Sequence, residues 1–136
     1  MIDGIILASK SQIRSALLLK LGLKFTVVDA AINENVVKSS YVNKNYSPRD
    51  VADVLADMKA KKISYAYPDK LVIGCDQIME YDGQILSKAI NPNDLVAQLK
   101  ILRNNSHTLY SACVVYFANK AEWRFIGSAT ITMRDL

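Results

Sequence analysis

Short apolar runs alternate along this chain with segments whose apolar residues recur every third or fourth position, and polar turns separate the two. Residues 71–75 are a short apolar run of the kind found in strands covered on both faces, and 2–7 and 24–28 read as further strands. Ile13, Leu17 and Leu21 fall on one helical face between an N-cap at Ser11 and Gly22, so the pattern predicts a helix with that face buried. Ser47, Pro48 and Asp50 open a longer helix with Val51, Val54, Leu55 and Met58 as its buried stripe and Lys59 at the stripe's edge. Asn91 opens another over residues 92–102, resting on Leu95, Leu99 and Leu102. Residues 107–117 and 123–133 have the β-branched and aromatic content of antiparallel partners, joined through 118–122. The polar stretch 29–46 has little periodicity and reads as a long loop, of a length that is usually functional or mobile. Strands interleaved with helices, together with hairpins, predict an α/β fold built on a mixed sheet with flanking helices.

Two places in this pattern carry chemistry. Asp76 directly follows the run 71–75, and Asp82-Gly83 reads as a hairpin turn whose ideal register sets Gln77 opposite Lys88. Neighbours along a strand point to opposite faces, so a bulge or strand end is expected at Asp76 if it and Lys88 are to share a cleft. An acid capping a strand beside a solvated lysine would give the same sequence. The other place is the turn after the first strand, where Ser9, Lys10, Ser11 and Arg14 surround a helix N-terminus and could receive phosphate. A capped helix with two surface cations fits that stretch equally. The glycines of a nucleotide-binding fingerprint are not there.

With 136 residues, 51% hydrophobic and 22% charged, the chain is expected to form one ordinary globular domain. Its net charge of +4 suits an anionic ligand, but the basic residues are scattered without interleaved aromatics, so nucleic-acid binding is not expected. Cys75 and Cys113 have no metal-type spacing and read as free thiols of a reducing compartment. No leader-like N-terminus or membrane-length apolar run appears, which predicts a cytoplasmic protein with no membrane partner. His107 is the only histidine, with no nucleophile beside it, and reads as structural or ligand-orienting rather than catalytic. Asp76 with Glu34 is the remaining option for a hard cation, through phosphate and water.

Leu7-Ala-Ser-Lys-Ser-Gln-Ile-Arg14, Ala56-Asp-Met-Lys-Ala60, Gly74-Cys-Asp-Gln77 and Ile85-Leu-Ser-Lys88 resemble, in order and spacing, the motifs of the Maf family of nucleoside triphosphate pyrophosphatases. The resemblance implies a two-lobed fold shared with inosine triphosphatases, and hydrolysis of a nucleoside triphosphate to monophosphate and pyrophosphate with magnesium or manganese. Asp76, Lys88 and Arg14 would then be catalytic. Ser9, Lys10, Ser11, Glu34, Lys59 and Gln77 would bind substrate, and Asp76 with Glu34 would hold the metal. Gln77 resembles the branch acting on 7-methylguanosine triphosphate, whereas the pyrimidine-directed branch has threonine there. Ser11-Gln12, Arg14-Ser15 and Lys88-Ala89 depart from the family's serine-proline, paired arginines and lysine-proline. Family members extend further, so residues 1–136 are expected to be a single Maf-like domain incomplete at its C-terminus, with room for a homodimer. A catalytically inactive nucleotide-binding remnant or scaffold is the alternative function.

Overall fold

The computed structural model describes residues 3–135, so Met1, the Ile2 expected in the first strand, and Leu136 lie outside the described residues. Its elements are Ile5–Ala8 (β1), Gln12–Lys20 (α1), Thr26–Val27 (β2), Glu34–Asn43 (α2), Pro48–Ala66 (α3), Leu71–Tyr81 (β3), Gln84–Leu86 (β4), Pro92–Leu102 (α4), Ser106–Phe117 (β5) and Lys120–Thr132 (β6). They form a mixed sheet in the order β2-β1-β3-β5-β6, with β4 paired to β3 off that path. β1 lies parallel to β2 and β3, while β4 and β5 lie antiparallel to β3, and β6 antiparallel to β5. The α/β class with flanking helices is therefore as the sequence pattern predicts.

The core lies between the sheet and α3. Along β3, Val72, Gly74, Asp76 and Ile78 are buried in alternation, and Ala112, Val114 and Tyr116 continue that row on β5. On α3 the buried residues include Val51, Ala52, Leu55, Ala56, Ala60 and Ile63. Val54 and Met58, expected in this stripe, are only half-buried, because three alanines spaced by four residues form the contacting ridge instead. That ridge lets the helix approach very closely. A Cβ at Gly74 would overlap the Ala56 carbonyl oxygen and come within 2.8 Å of Ala60 Cβ.

Several expectations are corrected. No bulge or strand end occurs at Asp76: β3 keeps an unbroken register with β5 from Val72↔Tyr116 to Glu80↔Thr108. The change falls on the other edge, where β1 pairs with β3 only as far as Gly74 and β4 only from Met79. The span 29–46 is not one loop, since Asn33 caps α2 and Val37 and Tyr41, four residues apart, pack on the core. Ile13, Leu17 and Leu21 are 76%, 56% and 73% exposed, so the apolar stripe of α1 faces outward, while Arg14, Ser15 and Leu18 line its inner side. Of the expected α4 contacts Leu102 is buried and Leu95 is exposed. The connection 118–122 contracts to a turn at Ala118-Asn119, both at positive φ, held by a hydrogen bond from the Asn119 N–H to Ser64 Oγ. Glu122 is left unpaired as a bulge, since Val115 faces Trp123 and Tyr116 faces Ala121. The Asp82-Gly83 turn forms as expected, with φ of 52° and 77°.

Candidate active site

Where β1 ends, the chain turns sharply into α1. Ser9 is buried, and its Oγ accepts hydrogen bonds from the Ser11 N–H (3.1 Å) and from Arg14 Nη1 (3.3 Å). Ser11 caps α1 by accepting from the Arg14 N–H. These bonds fold the loop back so that Arg14 reaches across to β3, where Nη1 also donates to the Cys75 carbonyl at 3.4 Å. That carbonyl lies between the β1 and β4 pairings, on the stretch of β3 that neither strand covers. It accepts from a second cation as well, Lys59 Nζ at 3.3 Å.

Lys59 is the hub of the site. Its ammonium lies 3.1 Å from Asp76 Oδ1 and 2.5 Å from Glu34 Oε1. Each partner is set by its element: Asp76 lies in the β3 row that faces α3, Lys59 sits beside the alanine ridge, and Glu34 occupies the first turn of α2. An acid in that first turn also complements the helix dipole. Burial pushes Asp76 above the usual carboxylate range against the pull of Lys59, and the neighbouring Glu34 charge adds to the rise. Burial raises Glu34 too, but its bond to Lys59 and the charges of Lys59 and Lys38 overcome this and leave it lowered. The ammonium thus holds one carboxylate that resists ionisation beside one that favours it. An acid with a raised pKa is better suited to take a proton near neutrality.

Asp76 Oδ2 is buried with no hydrogen-bond partner. A buried carboxylate oxygen normally finds a partner, so this one is suited to a ligand that supplies charge or a proton. Among the described residues no group of three or more His, Cys, Asp and Glu side chains could enclose a metal ion. The donors that fit a divalent cation are Asp76 and Glu34, both hard oxygen ligands, with phosphate and water oxygens completing its shell.

Not every expected residue joins this cluster. Gln77 alternates with Asp76, faces the other side of the sheet and donates to Ser111 Oγ at 3.0 Å. Lys88 follows the end of β4 and is exposed, and Lys10 is exposed at the loop tip. Hydrogen bonds and ion pairs thus join Ser9, Ser11, Arg14, Glu34, Lys59 and Asp76, whereas Gln77 faces the other side of the sheet and the exposed Lys10 and Lys88 are not part of this bonded cluster. His107 lies in β5 opposite Ile131, buried with Nδ1 unpaired, and not in the row that contains Asp76. Sequence reading missed Lys38, whose charge acts on both Glu34 and Asp76. Its signal was present: it stands four residues after Glu34, one turn along the helix that the loop assignment concealed.

Known proteins resemble this chain to different degrees. The nucleoside triphosphate pyrophosphatase of Roseobacter denitrificans is 43% identical over 132 residues, covering 97% of this chain and 66% of that protein. The 7-methyl-GTP pyrophosphatase of Brucella abortus is 39% identical over 135 residues, again covering 97% and 66%. The chain spans about two thirds of the length of these curated relatives. Among solved structures, a HAM1 protein from Coxiella burnetii superposes with a TM-score of 0.53 at 14% identity, over 96% of this chain and 71% of that one, which shows a shared fold. The family model described as Maf-like protein matches residues 4–136, and with these relatives it establishes that the chain belongs to the Maf family.

Proposed function

We propose that this chain acts as a nucleoside triphosphate pyrophosphatase, cleaving a nucleoside triphosphate to the monophosphate and pyrophosphate. The observation that carries the reading is the buried, unpartnered Asp76 Oδ2 set beside Lys59 and within reach of the loop that Ser9 and Arg14 build. Asp76 takes the proton of a water that attacks the phosphorus next to the nucleoside. Lys59 and Arg14 stabilise charge on the phosphate oxygens, and the Ser9–Ser11 turn with the α1 N-terminus receives the pyrophosphate being expelled. Magnesium or manganese, bound by Asp76 and Glu34, would neutralise the triphosphate and polarise its oxygens. Relatives named for nucleoside triphosphates in general and for 7-methyl-GTP support the substrate class, and a 7-methylguanosine nucleotide is the first candidate.

Pyrophosphate release from 7-methylguanosine, thymidine and uridine triphosphates, with and without magnesium, tests this. Turnover that falls by at least a hundredfold in Asp76→Asn is the expected result. Turnover equal to the parent would remove Asp76 from the reaction. The alternative reading is a nucleotide-binding protein without turnover. Triphosphate binding by calorimetry with no pyrophosphate from any of the three nucleotides would select it.

A further inference from the structure

Cys75 of β3 and Cys113 of β5 are direct neighbours in the unbroken antiparallel register. Both are free thiols, half-buried, on the sheet face turned away from α3, where they alternate with the buried Gly74, Asp76, Ala112 and Val114. Directly opposed residues of an antiparallel pair hold their Cα atoms about 4.5–5.5 Å apart, inside the roughly 4.4–6.8 Å that a disulfide spans. We infer that Cys75 and Cys113 form a dithiol–disulfide site that exchanges with small disulfides of the glutathione class.

The exchange balances in two steps. Cys75 gives up its proton and its sulfur attacks one sulfur of oxidised glutathione, which breaks that S–S bond and expels one glutathione thiolate. Cys113 then loses its proton and attacks Cys75 Sγ, forming the Cys75–Cys113 bond and expelling the second thiolate. Two electrons pass from the cysteines to the oxidant, and the two protons go to the departing thiolates. The Cys75 carbonyl accepts from Arg14 and Lys59, so the closed disulfide ties the strand edge under both cations to β5. The inference does not depend on the proposed hydrolysis, and its readout is covalent.

The whole chain is equilibrated with graded ratios of oxidised to reduced glutathione, quenched in acid, alkylated and mapped by mass spectrometry without reduction. The expected product has lost two hydrogens, resists alkylation, joins the peptides of Cys75 and Cys113, and reverts with dithiothreitol. Cys75→Ser and Cys113→Ser, folded by circular dichroism, should each stop at a glutathione mixed disulfide. Thiols that stay alkylatable at every ratio, wild-type chain that accumulates glutathione adducts without linked peptides, or cross-linking between chains would each overturn the inference.

Discussion

Lys59 Nζ lies 3.1 Å from Asp76 Oδ1, and the same ammonium contacts Glu34 and the Cys75 carbonyl, so one cation ties α2 and α3 to the open edge of β3. Both members of the Lys59–Asp76 pair are almost wholly buried. Removing one partner from such a pair leaves an uncompensated charge and costs about 3–5 kcal/mol. Lys59→Met is therefore expected to lose about 3 kcal/mol of stability in urea unfolding at neutral pH. Without the ammonium, Asp76 in the folded chain binds its proton more tightly than in the unfolded chain. The deficit should then narrow as pH falls through the raised folded value and be smallest below the unfolded one. A deficit that stays constant across the carboxylate range would mean that Asp76 is not the group left unpaired.

Gly74 controls how close that lysine can come. It needs no unusual backbone, but it lacks the Cβ that would strike the Ala56 carbonyl and Ala60. Overpacking of this kind costs about 1–3 kcal/mol, and here backbone rather than a flexible side chain stands in the way. Gly74→Ala should fall at the upper end of that range and lift α3 away from β3. Gly127→Ala is the control, because a Cβ there meets Phe125 Cε1 at 3.4 Å and the Ser111 carbonyl oxygen at 4.0 Å, both without overlap. Its unfolding midpoint should be nearly that of the parent, and equal losses for the two variants would reject the close-approach argument.

The sequence shows this site unevenly, for physical reasons. Asn33, Ser47 and Asn91 all accept the N-terminal bonds of a helix, but only Ser47 and Asn91 signal a helix start in the sequence, because the helix after Asn33 is polar on most of its surface. The Asp82-Gly83 turn was legible from residues that tolerate positive φ, whereas Ala118 gives no such signal and is held in the turn through Ser64. Apolar spacing misassigns α1, where Ile13 and Leu17 match the period of a buried stripe yet the inner, half-buried side carries Arg14 and Ser15. The acid at Asp76 could be found from the strand pattern. Its coupling to Lys59 depends on a helix crossing that no local spacing encodes.

Tyr116 gives a test at alkaline pH. It donates to Asp57 Oδ1 at 2.8 Å, beside Asp53 and the Arg124 guanidinium that bridges both aspartates. Burial, then the hydrogen bond and charge of Asp57, push its hydroxyl up to about 12. Its folded value lies above the unfolded one near 10, so its contribution is complete below about pH 10 and is lost as pH rises toward the folded value. Tyr116→Phe should therefore lose about 1 kcal/mol at neutral pH and converge on the parent as pH rises. Parallel stability curves up to the folded value would remove Tyr116 as the source.

Divalent cations test the oxygen ligands without any turnover. An ion that binds only the folded chain raises its stability by about 2.7 kcal/mol at one hundred times its dissociation constant. Magnesium or manganese should raise the melting temperature of the parent, and a chelator should return it. Asp76→Asn should abolish the rise, because its buried Oδ2 is the oxygen with no other partner. Glu34→Gln should weaken it less, since that side chain is more exposed and already engaged by Lys59. Lys59 competes with the ion for both carboxylates, so Lys59→Met should show a larger rise than the parent although its starting stability is lower. Melting temperatures that ignore the cation in all four proteins would remove the metal from Asp76 and Glu34 while leaving the cationic loop of Ser9 and Arg14 as a phosphate site.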